Sequence, residues 1–209
     1  MFKTSSTLRA SVLALALAGC ASFASADTSF HATINTASMS GAGWLDIAFL
    51  PGMTPAVGAS VTLSNFSGNF GSEFYLEGDA SGALPGSFTL GNSTAYNDLF
   101  HALTLGGSFS FDISFSGAYT STSGNVGTTL GVGLLSGDPM TYLGNPDGNL
   151  FQIDLMPMQG STPASVSVSV LAGGVATVAA AVPEPSQILL MLGGLGLLGA
   201  VAARRRSAR

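Results

Sequence analysis

Eight consecutive residues, Phe109 to Ser116, alternate strictly between apolar and polar side chains. Phe109, Phe111, Ile113 and Phe115 fall on one side of an extended chain, and Ser110, Asp112, Ser114 and Ser116 on the other. Successive side chains of a strand point in opposite directions, so a period of two marks a strand with one face on a core and one in water. Val166, Val168 and Val170 alternate with Ser165, Ser167 and Ser169 in the same way. Helical periodicity is nearly absent from the middle of the chain. Further strands are expected at Phe30 to Thr36, Trp44 to Leu50, Ser60 to Phe66, Phe74 to Glu77 and Phe88 to Leu90. Phe100 to Leu105, Thr129 to Leu135, Leu150 to Met156 and Val175 to Ala181 complete the set. Turn signals separate them, including Pro51-Gly52, Leu84-Pro85-Gly86, Gly106-Gly107 and Asn145-Pro146-Asp147-Gly148. About ten short strands at this spacing predict an all-β fold, an antiparallel two-sheet β-sandwich of jelly-roll-like kind. One local alternative is a short helical turn over Tyr96 to Phe100, where Asn97 and Asp98 are good cap residues.

Charge is scarce and segregated. Only 8% of the 209 residues are charged, against roughly a quarter in an ordinary soluble chain. All six basic residues lie at the ends: Lys3 and Arg9 at the front, Arg204, Arg205, Arg206 and Arg209 at the back. The interval from Ala10 to Ala203 holds all eleven acids and no cation. Nucleic-acid binding, which needs Lys and Arg to displace counterions from phosphates, is therefore excluded, as is Schiff-base chemistry on a lysine.

The two ends read as addresses. A short cationic start, the apolar run Ala10 to Ala18 and the small-x-small site Ala24-Ser25-Ala26 predict a secretory signal peptide over residues 1–26, cut by signal peptidase before Asp27. Leu17-Ala18-Gly19-Cys20 resembles the lipobox of bacterial lipoproteins and offers a second site, at which Cys20 would be lipidated. Neither mature form keeps a thiol beyond Cys20, so the domain at 27–182 depends on its core and on no disulfide. At the other end, Pro183-Glu184-Pro185 precedes the apolar run Ile188 to Ala203 and then the arginine cluster. Sixteen helical residues reach roughly 24 Å, short of a bilayer core of roughly 30 Å, and arginine stems can snorkel across the deficit. Arg204, Arg205 and Arg206 would act as a cytoplasmic stop-transfer, leaving the preceding domain outside the membrane.

This order of Pro-Glu-Pro, short apolar helix and arginines over residues 183–209 closely resembles the PEP-CTERM sorting signal of Gram-negative bacteria. The resemblance implies recognition of Pro183, Glu184 and Pro185 by the membrane transpeptidase exosortase, with the helix at 188–203 as a transient anchor. It also implies a destination at the cell surface or outside the cell, and a link to exopolysaccharide or biofilm. Two prolines bar a helix and leave an extended segment a protease can grip. The stretches Gly43 to Phe49, Gly91 to Asp98 and Ser108 to Asp112 are similar to a group of small PEP-CTERM proteins, which adds architecture and no chemistry.

Candidate chemistry in the middle of the chain is thin. Asn145, Asp147 and Asn149 resemble part of a calcium loop, but Met156 stands where an EF-hand loop needs its bidentate acid, so a hairpin turn is expected. Glu77 and Asp79, with Glu73, would face one side of an extended strand at a spacing that suits a glycosidase pair; solvated edge acids are the expected reading. His31 and His101 are the only histidines, too few for a zinc site, and His101 is expected as a hydrogen-bonded strand residue. No Gly-x-Ser-x-Gly elbow occurs. The expectation is a protein without catalytic residues, metal or cofactor. Trp44, Tyr75, Tyr96, Tyr119 and Tyr142 supply rings for stacking on an extracellular polysaccharide, with the core as the competing place for Trp44. Asn65-Phe66-Ser67 and Asn92-Ser93-Thr94 fit the glycosylation sequon.

Overall fold

A computed structural model describes residues 29–181. Cys20, Asp27, Pro183, Glu184, Pro185, the apolar run 188–203 and Arg204, Arg205 and Arg206 lie outside the described residues. The chain forms β1 (Ser29–Asn35), β2 (Ala42–Pro51), β3 (Ala59–Ser67), β4 (Phe70–Glu77), β5 (Ala80–Gly82) and β6 (Phe88–Gly91). After these come β7 (Asp98–Thr104), β8 (Ser108–Gly117), β9 (Thr128–Ser136), β10 (Asn149–Met156), β11 (Ser165–Val170) and β12 (Ala176–Ala180). One turn of 3-10 helix, Ala118–Thr120, follows β8. Among the described residues no helix is long and apolar enough to cross a membrane.

Two six-stranded sheets result, with every strand pairing antiparallel. Sheet I has the order β12-β1-β8-β3-β6-β5, and sheet II the order β11-β10-β9-β2-β7-β4. The first eight strands nest like a folded hairpin: β1 pairs with β8, β2 with β7 and β3 with β6. Consecutive pairs of this nest go to opposite sheets, which is how a linear alternation of short strands closes into two layers.

The period-two pattern places the core. Phe109, Phe111, Ile113 and Phe115 of β8 are buried, and their serine and aspartate neighbours face solvent. Ile34, Val61, Leu63, Phe88 and Leu90 join them from sheet I. Leu45, Ile47, Phe49, Leu99, Leu130, Val132, Leu134, Phe151 and Ile153 meet them from sheet II. Each such side chain contributes roughly 1.5–3 kcal/mol by leaving water, and no disulfide exists to substitute for them. A β-bulge at Asn65, whose φ is +53°, shifts the register of β3 against β8 and lays Phe66 on Phe111 at 5.3 Å between ring centres.

Eleven of the expected strands are present, and four details differ from the sequence-based reading. The helical turn over Tyr96–Phe100 does not form: β7 starts at Asp98, and Asn97 spends its amide on bonds to the backbone of Asp79 and Phe49 instead of capping. The strand Ala80–Gly82 was not expected, because three small residues carry no period. Glu77 and Asp79 do not share a strand face, since Gly78 turns the chain at φ +68° and β4 ends before it. The valines of β11 do point to the core side, opposite Phe151, Ile153 and Leu155, but β11 is the sheet edge and leaves Val168 and Val170 exposed.

Candidate functional site

The outward faces of the two sheets differ in kind. On sheet I, Ser29 bonds Ser114 and Ser60 bonds Ser116 across strands, and His31 Nδ1 meets Asp112 Oδ1 at 2.6 Å. Asn65 Nδ2 donates to the other oxygen of Asp112 at 2.7 Å. These contacts hold the Asp112 carboxyl below the usual carboxylate range, the Asn65 bond first and His31 second. This is a solvated face of hydroxyls with one exposed imidazole–carboxyl contact.

Sheet II instead presents rings and carboxyls. Trp44, Asp46 and Ala48 face out from β2, Asp98, Phe100 and Ala102 from β7, and Glu73, Tyr75 and Glu77 from β4. Register sets them side by side, with Asp46 opposite Phe100, Phe100 opposite Tyr75, and Asp98 opposite Glu77. Trp44 stacks on Phe100 at 4.8 Å with 10° between planes and meets Tyr75 at 5.8 Å. The Tyr75 hydroxyl donates to Glu73, which orients the ring. On β9 two of the outward positions beside β2, those opposite Asp46 and Ala48, are Gly133 and Gly131. A Cβ at Gly133 would stand 3.3 Å from the Tyr142 ring, and one at Gly131 would stand 2.5 Å from the Asn149 amide. Those glycines therefore let Tyr142 and Asn149 lie flat on the sheet.

Two neighbouring carboxyls in this face are both pushed toward their neutral form. Asp98 is 8% exposed, its Oδ1 is buried with no partner, and its side chain is hydrogen-bonded to that of Asp46. Burial first, then the charge of Asp46, pushes Asp98 up to about 8, and burial raises Asp46 as well. Of the two, Asp98 is the more strongly raised, because it also faces the charges of Asp46 and Glu77. The Tyr96 hydroxyl stands in the field of the same acids and is pushed up to about 12, with burial as the larger cause.

Four of the five rings singled out in the sequence thus belong to one side of the molecule: Trp44, Tyr75, Tyr96 and Tyr142. Tyr119 does not, being 2% exposed in the core with its hydroxyl unpartnered. Trp44 is half-buried on the outer face and takes no part in the core. Sequence reasoning missed Phe100, Asp46 and Asp98. The alternation Trp44-x-Asp46 was visible, whereas the meeting of Asp46 with Asp98 depends on the β2–β7 pairing.

The other candidates resolve into structure. Asp79 accepts from Ser93, on a turn away from Glu73 and Glu77. His101 is buried against Phe74, stacked at 5.6 Å, with Phe70 and Phe88 at its edges and Nδ1 on the Ala102 carbonyl. Asn145 accepts from the Asp147 amide and its carbonyl takes the Gly148 amide, forming the expected turn. Asn92 holds Ala59, Val57 and Thr128 through its amide, so Asn92 is a buried clamp and no accessible sequon. A cavity of about 400 Å³ between β1, β12 and the β7–β8 turn is lined by Thr33, Asn35, Ser108 and Thr177 among glycines, with no acid or ring.

The described residues define an all-β, two-sheet sandwich domain with one aromatic, acidic face. Residues 181–206 match the family model described as the PEP-CTERM protein-sorting motif, so the chain carries at that end the signal of an exosortase-sorted, exported product. No curated protein and no solved structure matches the chain.

Proposed function

We propose that this is a non-enzymatic protein of the cell surface or extracellular matrix, delivered in stages. Signal peptidase releases residues 1–26, the helix at 188–203 holds the product in the inner membrane, and exosortase acts at Pro183-Glu184-Pro185. Arg204, Arg205 and Arg206 keep the tail end cytoplasmic until then. The observation that carries this reading is the sorting-motif match over residues 181–206. The turn that takes Asp79 away from Glu77, breaking the spacing that suited a glycosidase pair, supports a cargo without catalytic residues. Its place outside the cell favours a role among exopolysaccharide or biofilm components. Intact-mass spectrometry of the protein from an exosortase-bearing host tests the route: a start at Asp27 and loss of the arginine tail are expected. Retention of the whole tail there overturns it, and a diacylated Cys20 at the start replaces the first step.

A second reading, a carbohydrate-binding surface module, is favoured by the gathering of Trp44, Tyr75, Tyr96 and Tyr142. The nested pairing of β1 to β8 is jelly-roll-like, an architecture that lectin domains share, which is support by analogy only.

A further inference from the structure

We infer that the outward face of sheet II is a docking surface for an uncharged polysaccharide, with Trp44 and Tyr75 as its stacking platform. The inference rests on the second reading above and assigns it a place and a ligand class. Three observations converge on it. Tyr75 is 57% exposed and Tyr142 40%, a concentration of costly aromatic surface on a domain where no exposed large apolar side chain stands on a strand of the other sheet. The rings rise from neighbouring strands and brace one another, so the platform is in place before any ligand arrives, and little order remains to be gained on binding. Its rim carries the Tyr96 hydroxyl and the carboxylates of Glu73 and Glu77, acceptors and donors of the kind sugar hydroxyls need.

Charge decides among occupants. The chain from Ala10 to Ala203 has no lysine or arginine, and the face itself carries Glu73, Glu77 and Asp46. An anionic polymer would meet repulsion with no cation to answer it, and an anionic membrane likewise. A neutral sugar ring, apolar on its C–H face and polar at its edge, matches an aromatic plane rimmed with oxygen. The platform spans β2, β7 and β4, roughly 10 Å at about 4.8 Å per strand, so an extended polymer fits it better than a single sugar.

Trp44 is the only tryptophan of the chain, so its emission reports this face directly. The full chain in zwitterionic detergent would be titrated with a soluble β-glucan, an α-glucan, a galactomannan and, as the anionic control, alginate. The expected result is a saturable change of emission with at least one neutral polymer, none with alginate, and indifference to EDTA. Tyr75→Ala, at an exposed position, should weaken that binding roughly tenfold, while Thr62→Ala on sheet I leaves it unchanged. Binding that sediments the protein but neither moves Trp44 emission nor responds to Tyr75→Ala would overturn this face and leave the binding-module reading standing. Loss of binding with EDTA would move the site to a cation-dependent loop and overturn it too. No binding to any neutral polymer would remove both, as would self-association abolished by Tyr75→Ala, which would make a second copy the occupant.

Discussion

Each sheet carries aspartate on its outward face, and the two environments drive the same side chain in opposite directions. Asp112, on sheet I, is exposed and receives hydrogen bonds from Asn65 and His31, so its charged form is favoured. Asp98, on sheet II, is buried beside Asp46 and across from Glu77, so its neutral form is favoured. Both strands obey the same alternation. What separates the faces is the company each carboxyl keeps: hydroxyls and donors on one side, rings and further acids on the other. A face of serines can stay open to water, whereas a face of rings buries whatever stands among them, acids included.

The largest test of this contrast is Asp98→Asn. An unfolded Asp98 ionises from pH about 3.8 upward, while the folded one keeps its proton until about 8. Between those values the native state binds more protons than the unfolded one, so stability falls as pH rises and the loss is complete above about 8. The amide keeps the shape and the donor without the titration. Thermal melts should show the parent losing stability from pH 5 to pH 8, on the order of a few kcal/mol or roughly 10 °C, with the variant nearly flat and more stable at pH 8. Equal slopes in both would mean that Asp98 is not the group whose titration sets the slope.

Gly133→Val probes the same face through its shape. The new Cβ would stand 3.3 Å from the Tyr142 ring, so the ring must lift off β9. A cost of about 1–3 kcal/mol is expected, partly offset by valine's preference for strands. Ser114→Val at an outward position of sheet I should stay within about 0.5 kcal/mol, apart from the lost bond to Ser29. Chemical denaturation of both variants checks the pair; equal costs would show that sheet II holds no ring against its glycines.

How much of this was readable beforehand depended on range. The β8 alternation needs only eight neighbouring residues, and its buried and wet faces fell where the period put them. On β2 the same rule was ambiguous, because Trp44, Ala48 and Leu50 oppose Leu45, Ile47 and Phe49 and both sets are apolar enough to be core. Only the second sheet layer decides between them, and it buries the latter set. The clamp residues Asn92 and Asn97 looked like loop or cap residues, since their partners Ala59, Thr128, Asp79 and Phe49 are distant in the sequence. The acid pair was hidden for the same reason. The sorting signal was legible because it is a linear motif, written in consecutive residues rather than assembled by folding.

The smallest expected effect is on sheet I, at Asp112→Asn. Its folded ionisation lies below the unfolded value of 3.8, so its stabilising contribution is present above that value and disappears as pH falls through the lower one. Burial would have made the pair with His31 consequential, but the two side chains are 50% and 37% exposed, and water screens them. A double-mutant cycle of His31→Ala with Asp112→Asn should therefore give a coupling of only about 0.2–1 kcal/mol, shrinking in high salt. A coupling of several kcal/mol that persisted in salt would show the sheet I aspartate behaving as Asp98 does, and the distinction between an open hydroxyl face and a ring-covered acidic one would lose its physical basis.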